Sequence, residues 1–230
     1  MQEHISTSFD EDLNELDRMV VTLSGLAQSQ LRGVASVISA IDKDFINSLI
    51  ANDKNLDALE AEIFEKTVEI IALRSPHAKD LRKVLVSPKI ASSLERIGDH
   101  ARNVGKRLNL IAETATSVPY ADELVTISNI ALSMVVDVSD AYARSDDVKA
   151  KEIWNSDLKL DTVYNDCIAK VLKAMDQGES DITVGTHCLF IAKNFERIGD
   201  HATGIAEQIY FRINAEMLDD DRPKMGDAEA

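Results

Sequence analysis

The sequence predicts an all-α protein, and three observations support that prediction. Apolar residues recur at alternating spacings of three and four in four long stretches, which is the period of helices packed nearly parallel or antiparallel. No comparable run alternates with the two-residue period of a strand. The 230 residues contain only 9 Gly and 4 Pro, so long helices fit better than many short strands. Gln30 interrupts the first of the four apolar stretches, which cover 13–41, 90–111, 124–141 and 191–209.

Six helices account for this pattern, and local signals mark their ends. Pro76 and Pro119 stand where a helix can begin. Gly178 ends the fifth helix and Asp181 can cap the sixth, while the segment Ser145–Asp147 marks another start. The predicted helices cover 8–41, 44–73, 77–112, 120–143, 146–176 and 181–214.

Composition limits the classes of function. The chain has 40 acidic and 25 basic residues, which gives a formal net charge of −15. A nucleic-acid partner and direct adsorption to anionic lipid are both disfavoured, because each requires a surplus of Lys and Arg. The acidic N-terminus lacks the basic and apolar regions of a secretory signal, and no stretch of about 18 uncharged apolar residues predicts a membrane span. We therefore expect a cytoplasmic protein.

The chain contains an internal repeat. The segment LERIGDHA at 94–101 recurs as FERIGDHA at 195–202, and NDKNLD at 52–57 pairs with NSDLKLD at 155–161. Helices one to three and four to six are therefore two copies of one three-helix unit. The predicted units are 1–116 and 117–216, followed by a disordered acidic tail at 217–230.

Acidic residues border the apolar seams at helical spacing. In the second predicted helix Asp53, Asp57 and Glu60 share one face, because they are separated by four and three residues. Glu95 and Asp99 form another acid pair beside the seam of the third helix. The second unit repeats the scheme on its own two helices with Asp157 and Asp161, then Glu196 and Asp200.

These like charges need neutralising. Carboxylates on adjacent helical turns repel one another, so they must be protonated, pair with basic side chains or bind a cation. Arg82, Arg96 and Arg102 can supply ion pairs in the first unit, and Arg197 in the second. Oxygen ligands suit a hard cation, but leave magnesium, manganese, calcium, iron and zinc open. The spacing alone does not distinguish a metal site from a ladder of salt bridges.

Two further pairs of identical residues accompany the acids. Gly98 and Gly199 each cost about 1 kcal/mol in a helix interior, which predicts a close approach to a neighbouring helix or a bound ion. His100 and His201 hold equivalent positions and are interpreted as exposed or helix-capping residues rather than ligands.

Motifs of enzyme catalysis are absent from the sequence. It contains no Gly-x-Ser-x-Gly, no Gly-rich phosphate loop and no His-Glu-x-x-His, so we predict that the protein is not an enzyme. The residues leave two alternatives open: a metal-storage or metal-dependent hydrolytic bundle, and a structural dimerising bundle with solvated acids. The lack of any Glu-x-x-His weighs against a ferritin-like di-iron site.

The doubled motif LERIGDHARN at 94–103 and FERIGDHATG at 195–204 resembles the PhoU family of phosphate-transport regulators. The segments 52–63 and 74–85 also resemble that family's pattern. The resemblance implies two tandem three-helix bundles related by pseudo-two-fold symmetry. It further implies a cytoplasmic, peripheral homodimer that docks to a phosphate ABC transporter, through its ATPase subunit, and to a sensor histidine kinase. Such a protein represses the phosphate-starvation response and phosphate uptake when phosphate is plentiful.

The resemblance also implies metal binding through the paired acids. Gly204 stands where the family pattern has Asn in the second copy, and Tyr164 stands where the first half has Glu60, so the second site is expected to be weaker. The ions implied are divalent or trivalent, with iron, zinc, magnesium, manganese and calcium all open. The implied metal ligands are Asp53, Asp57, Glu60, Glu95, Asp99, Asn103, Asp157, Asp161, Glu196 and Asp200.

Overall fold

The structure, a computed structural model, describes residues 2–218, with side chains from residue 8 onward. Within 2–218 the chain forms α-helices and no strand, so the all-α prediction is confirmed. The predicted disordered tail lies almost wholly outside the described residues. The helices are α1 Gln2–Ser36, α2 Lys43–Asn52, α3 Lys54–Arg74, α4 Ala78–Thr114, α5 Ala121–Arg144, α6 Asp147–Asn155, α7 Asp157–Asp176 and α8 Ile182–Asn214.

The second and fifth predicted helices are each divided in two, which corrects the sequence prediction. The divisions fall at Asp53 and Ser156, in corresponding polar segments of the two halves. Asn, Asp and Ser side chains bond to nearby backbone and so compete with regular helix bonding. The Ser156 hydroxyl donates to the Ile153 carbonyl at 2.8 Å. Each half thus remains a three-helix bundle in which the middle helix is broken.

The first helix ends earlier than predicted. It stops at Ser36 instead of residue 41, and the Ser36 hydroxyl donates to the Gly33 carbonyl at 2.7 Å. Val37 and Ile38 then enter the core from a turn, which explains why the apolar pattern continues beyond the helix. The spacing of apolar residues indicates which side chains are buried, and Val37 and Ile38 are still buried after the helical backbone has ended.

Side-chain caps fix the starts of three helices. Asp42 accepts from the Phe45 amide at the start of α2, and Asp146 accepts from the Lys149 amide at the start of α6. Asp181 accepts from an amide of α8 in the same way. These bonds satisfy backbone donors that have no partner within the first helical turn. The starts predicted for α6 and α8 are therefore confirmed.

Helices α4 and α8 form the centre of the molecule and contact each other more extensively than any other pair of the described helices. Helices α1, α2 and α3 pack on α4, and α5, α6 and α7 pack on α8. Buried side chains such as Leu23, Ile97 and Phe195 belong to one continuous apolar core. The two related bundles therefore share a core along α4 and α8.

Helix α5 is long and apolar enough to cross a membrane by length and composition, with a mean hydropathy of 1.4 over its most apolar window. Its apolar residues lie on one face, and Leu124, Ile127 and Val138 are fully buried against the rest of the bundle. A helix that buries a wide apolar face in the core of a bundle has this same composition. Its packing within the bundle therefore accounts for the hydropathy of α5.

An ion-pair cluster around Asp17 ties the two halves together at one end of the molecule. Its carboxylate accepts from the Tyr142 hydroxyl at 2.9 Å and pairs with Lys83 Nζ at 2.7 Å. Arg212 from the end of α8 reaches the same carboxylate at 3.3 Å and lies over the Tyr142 ring. Burial and then the neighbouring Asp17 charge raise the pKa of Tyr142. One acid of the first half thus holds two groups of the second.

We predict that Asp17→Ala lowers the free energy of unfolding by about 2 kcal/mol, because it leaves the buried Tyr142 hydroxyl and the Arg212 guanidinium without their acceptor. Urea unfolding followed by circular dichroism measures the change. Glu11→Ala is the control, since Glu11 is exposed on the same helix and makes no ion pair among the described side chains. Equal losses in both variants would contradict the role given to Asp17.

Candidate functional site

The break between α2 and α3 starts a cluster of acids between α3 and α4. Asp53, at the break, is only 3 % exposed, and it points toward α4. Asp57 and Glu60 follow on α3 and act electrostatically on Glu95 of α4. We call Asp53, Asp57, Glu60, Glu95 and Asp99 the first acid cluster. The five acids that the sequence predicted in the first half therefore lie on the two sides of the α3–α4 interface, with Asp53 buried and Asp57 exposed.

Arg102 joins both sides of the first acid cluster. Its guanidinium pairs with Asp53 across the helix interface and with Asp99 on its own helix, the latter at 2.6 Å. The Gln30 side-chain amide of α1 also donates to Asp53, at 3.2 Å, and lies 3.4 Å from the Gly98 carbonyl. The buried carboxylate of Asp53 is therefore neutralised by an arginine and hydrogen-bonded by an amide.

Glu95 of the first acid cluster is less well compensated than Asp53 and Asp99. Burial, and then the Asp99 charge, raise the pKa of Glu95 above its usual range, and Asp57 and Glu60 raise it further. Arg96 opposes the shift, but it is largely exposed and its nitrogens lie 3.7 Å from Glu95 and 3.6 Å from Asp99. Exposed ion pairs at such distances contribute little.

A second acid cluster lies between α7 and α8 and consists of Asp157, Asp161, Glu196 and Asp200. Burial and then the Glu196 charge raise the pKa of Asp161, and the same two causes in the same order raise that of Asp200. The contact of Leu160 with Gly199 brings α7 and α8 together beside these acids. Asp157, only 5 % exposed, starts α7 at the break that corresponds to Asp53.

The cations around the second cluster differ from those around the first. Thr203 stands where the first half has Arg102, and its hydroxyl donates to the backbone carbonyl of Asp200. Lys193 lies 2.6 Å from one oxygen of Glu196, and the other oxygen is buried without a hydrogen-bond donor, with Arg197 at 3.9 Å. The second cluster therefore has no arginine at the position that bridges the first.

Gly98 and Gly199 allow the acid-bearing helices to approach one another. A Cβ at Gly98 would lie 2.5 Å from Leu56, and one at Gly199 would lie 2.2 Å from Leu160. Both leucines are buried, so neither can move aside cheaply. The predicted close approach to a neighbouring helix is confirmed, and it brings the acids of α3 and α7 beside those of α4 and α8.

His100 and His201 contact each other where α4 crosses α8, which corrects their interpretation as exposed or capping residues. Their ring centroids are 5.4 Å apart, and His100 Nδ1 lies 2.9 Å from the Asn194 side-chain oxygen. Burial, and then the neighbouring His100, lower the pKa of His201 to about 4. The sign of this contact in the sequence was that the two histidines hold equivalent positions in the two repeats. Equivalent residues of α4 and α8 can meet where these two helices cross.

Other residues beside the first acid cluster were only partly predictable from the sequence. Gln30 interrupted an apolar seam, which was the sign of a buried polar contact, and it proves to bind Asp53. Asn103, predicted as a ligand, is half-buried and next to Arg102, and contributes no hydrogen bond among the described side chains. The bridging geometry of Arg102 depends on the distance between helices, which periodicity does not give.

The family pattern implies a metal ion at the carboxylates of the two acid clusters. In the described part of the chain, no three Asp, Glu, His or Cys side chains are arranged to hold a metal ion in this conformation. The chemistry of the donors nevertheless fits a hard cation, because buried carboxylates crowd one another and one oxygen of Glu196 lacks a donor. Metal binding at these residues stays a prediction.

We predict that Glu95→Gln raises the melting temperature of chelator-treated protein at pH 7 by roughly 1–2 °C, because it removes one of several crowded charges. The pKa of Glu95 is higher in the folded protein than in the unfolded chain. In the pH range between those two values the folded state binds more protons, so stability falls as pH rises. The Glu95→Gln substitution should therefore make the stability depend less on pH in that range.

Differential scanning calorimetry over a pH series measures this effect. Glu62→Gln is the control, because Glu62 is exposed on α3 outside the cluster. A melting temperature that drops in Glu95→Gln, with no change in Glu62→Gln, would mean that the Glu95 charge stabilises the metal-free bundle.

Comparisons with known proteins agree with this arrangement over nearly the whole chain. The family model described as "PhoU domain" matches residues 20–108 and 124–209, once in each half. A relative named phosphate-specific transport system accessory protein PhoU homolog, from Caulobacter vibrioides strain NA1000, is 38% identical over 225 residues, covering 98% of each chain.

A second relative, the phosphate-specific transport system accessory protein PhoU of Escherichia coli K12, is 32% identical over 216 residues, covering 94% of this chain and 89% of its own. The crystal structure of PhoU from Pseudomonas aeruginosa superposes with a TM-score of 0.87 at 27% identity, covering 90% of this chain and all of that one. The duplicated acid-bearing bundle, the double family match and these full-length relatives lead to one conclusion: the chain belongs to the PhoU family.

Proposed function

We propose that this protein regulates phosphate uptake as an accessory protein of a phosphate-specific transport system. The observation that supports the proposal is the full-length likeness to relatives named for that role, with both halves and both acid clusters present. These relatives are named accessory proteins rather than hydrolases or storage proteins, which favours a regulatory role over a metal-storage or hydrolytic bundle. An accessory role also suits a chain without a recognised catalytic motif.

More specifically, we propose that the protein is an adaptor between two partner proteins. The protein docks to the ATPase subunit of the phosphate ABC transporter and to a sensor histidine kinase, and it represses the starvation response when phosphate is plentiful. The two bundles pack against each other over the shared core of α4 and α8, so the protein can present a contact surface on each half. The net charge of −15 disfavours direct lipid binding, so membrane association runs through partner proteins in the cytoplasm. We propose a homodimer as the working assembly.

Deletion of the gene is expected to derepress phosphate-starvation reporters in phosphate-rich medium, because the protein no longer represses signalling by the sensor kinase. Reporter activity in the deletion strain, with and without the gene restored on a plasmid, measures the effect. Reporters that remain repressed in the deletion strain would reject the proposal. Pull-down of the ATPase subunit and of the kinase by the tagged protein tests the two docking partners separately.

We further propose that the acid clusters bind divalent or trivalent cations. The residues that would hold them are Asp53, Asp57, Glu60, Glu95 and Asp99 in the first half, and Asp157, Asp161, Glu196 and Asp200 in the second. A bound cation would supply positive charge that removes the repulsion between the carboxylates. Arg102 supplies part of that charge in the first cluster, whereas Thr203 in the second supplies none.

Asp200→Ala and Glu95→Ala are expected to lower the metal content of the purified protein by more than they lower its helicity. Elemental analysis and far-ultraviolet circular dichroism on the same samples measure the two quantities. Asp166→Ala is the control, because Asp166 is an exposed acid on α7 outside the cluster. Equal loss of metal and helicity would mean that these carboxylates hold the bundle together. Wild-type protein without metal, and without a higher melting temperature in added divalent ions, would reject metal binding.

A further inference from the structure

Helix α3 carries a row of exposed apolar side chains on its outer face. Phe64, Val68 and Ile71 follow one another at spacings of four and three residues and are 59 %, 51 % and 38 % exposed. We call these three residues the α3 stripe. Helix α3 already buries a separate face, with Ile63 and Ile70, against the core. The stripe is therefore a second apolar face that the fold leaves uncovered, and such contiguous surface is typical of a binding site.

A row of exposed acids runs beside the α3 stripe. Glu65 lies one turn before Val68 at the edge of the stripe, and Glu62 and Glu69 continue the exposed row further round the helix toward α1. Only Glu69 has a basic partner within 4.0 Å among the described side chains, and that partner, Lys66, is shared with Asp12 and Glu15 of α1. Lys66 is therefore shared among three acids, and the glutamate row keeps a net negative charge.

The α3 stripe also runs directly into the first acid cluster. Glu60 and Asp57 lie one and two turns before Phe64 on the same face of α3, because the spacings continue at four and three residues. A ligand laid along the stripe would thus meet apolar side chains at one end and carboxylates at the other. The glutamate row would add further carboxylates along its side.

The second half does not repeat this surface. The residues that correspond to the glutamate row are Asp166, Ala169 and Lys173, so the row of acids is lost. Of the residues that correspond to the stripe, only Leu172 is strongly exposed, at 50 %, while Ile168 is half-buried against the core. Duplication of the bundle therefore does not account for the stripe.

We propose that the α3 stripe docks a basic amphipathic helix of a partner protein. The apolar side chains fit a partner's apolar face at spacings of three and four, and the glutamates fit lysines or arginines that flank that face. From Phe64 to Ile71 the stripe is about 10 Å long, which corresponds to about two turns of a partner helix. This binding surface is independent of the phosphate role proposed above.

The negative charge of the glutamate row favours a basic partner helix over two other possible ligands of the stripe. A second copy that presented the same face would bring two rows of glutamates together, which is unfavourable in a symmetric interface. The chain's own residues 219–230 contain more acidic than basic residues, so they would be repelled as well. A basic helix from another protein gains both the apolar contact and the ion pairs.

The test uses a synthetic fluorescent peptide of about four turns with leucines at helical spacing and flanking lysines. Its binding to the full-length protein is followed by fluorescence anisotropy at low and at physiological salt. We expect saturable binding that Phe64→Ser and Val68→Ser each weaken by about tenfold or more. Glu65→Gln should weaken binding and reduce its dependence on salt.

Matched controls separate the stripe from overall charge. Leu172→Ser, at the position of α7 that corresponds to Val68, should leave the affinity unchanged. A peptide of the same composition, reordered so that it has no apolar face, should bind at least about tenfold more weakly than the amphipathic one. Melting curves check that the exposed substitutions leave the fold intact.

Three results would overturn the proposal. The first is an absence of saturable binding by the amphipathic peptide. The second is equal binding of the reordered peptide or equal weakening by Leu172→Ser, which would mean that net charge alone attracts the peptide. The third is a change from dimer to monomer in Phe64→Ser by sedimentation velocity, which would assign the stripe to a second copy of this chain. None of these results bears on the phosphate reporters, so the two proposals fail independently.

Discussion

The architecture depends on holding carboxylates close together beside an apolar core. Asp53 and Asp157 start the acid-bearing helices and are almost fully buried, and the other acids of each cluster face them or follow them along the helix. Burial and mutual repulsion both disfavour the charged forms, so each cluster requires positive charge. The close approach at Gly98 and Gly199 makes this demand stronger, because it fixes the distance between the helices.

The two halves meet this demand with different residues. The first half has Arg102 between Asp53 and Asp99, whereas the second has Thr203 at that position and relies on Lys193 and Arg197. The sequence suggested that the second half is the weaker metal site, because Asn and Glu are replaced there. The arginine bridge is an ion pair that only the first half has, whereas Lys193 pairs with Glu196 in the second half, and the difference in metal affinity stays a prediction. Repeats that share a backbone can thus hold clusters of different net charge.

The helices that carry the two acid clusters also pack against each other. Helices α4 and α8 carry one acid pair each and contact each other along their length, with His100 against His201 at the crossing. At the far end Asp17 joins α1 to the end of α8. A change of charge in one cluster therefore acts on a helix that packs directly against the other half. The α3 stripe lies beside the first cluster, where a docked partner would be close to that change.

The sequence by itself determined the helical class, the duplication and the identity of the clustered acids. These features follow from period and repetition, which are local properties of the chain. Only the tertiary structure decided the breaks at Asp53 and Ser156, the bridging by Arg102 and the contact between the histidines. Each of these depends on the distance between helices that are far apart in sequence. The exposure of the α3 stripe belongs to the same group, because periodicity shows that a face is apolar but not whether another helix covers it.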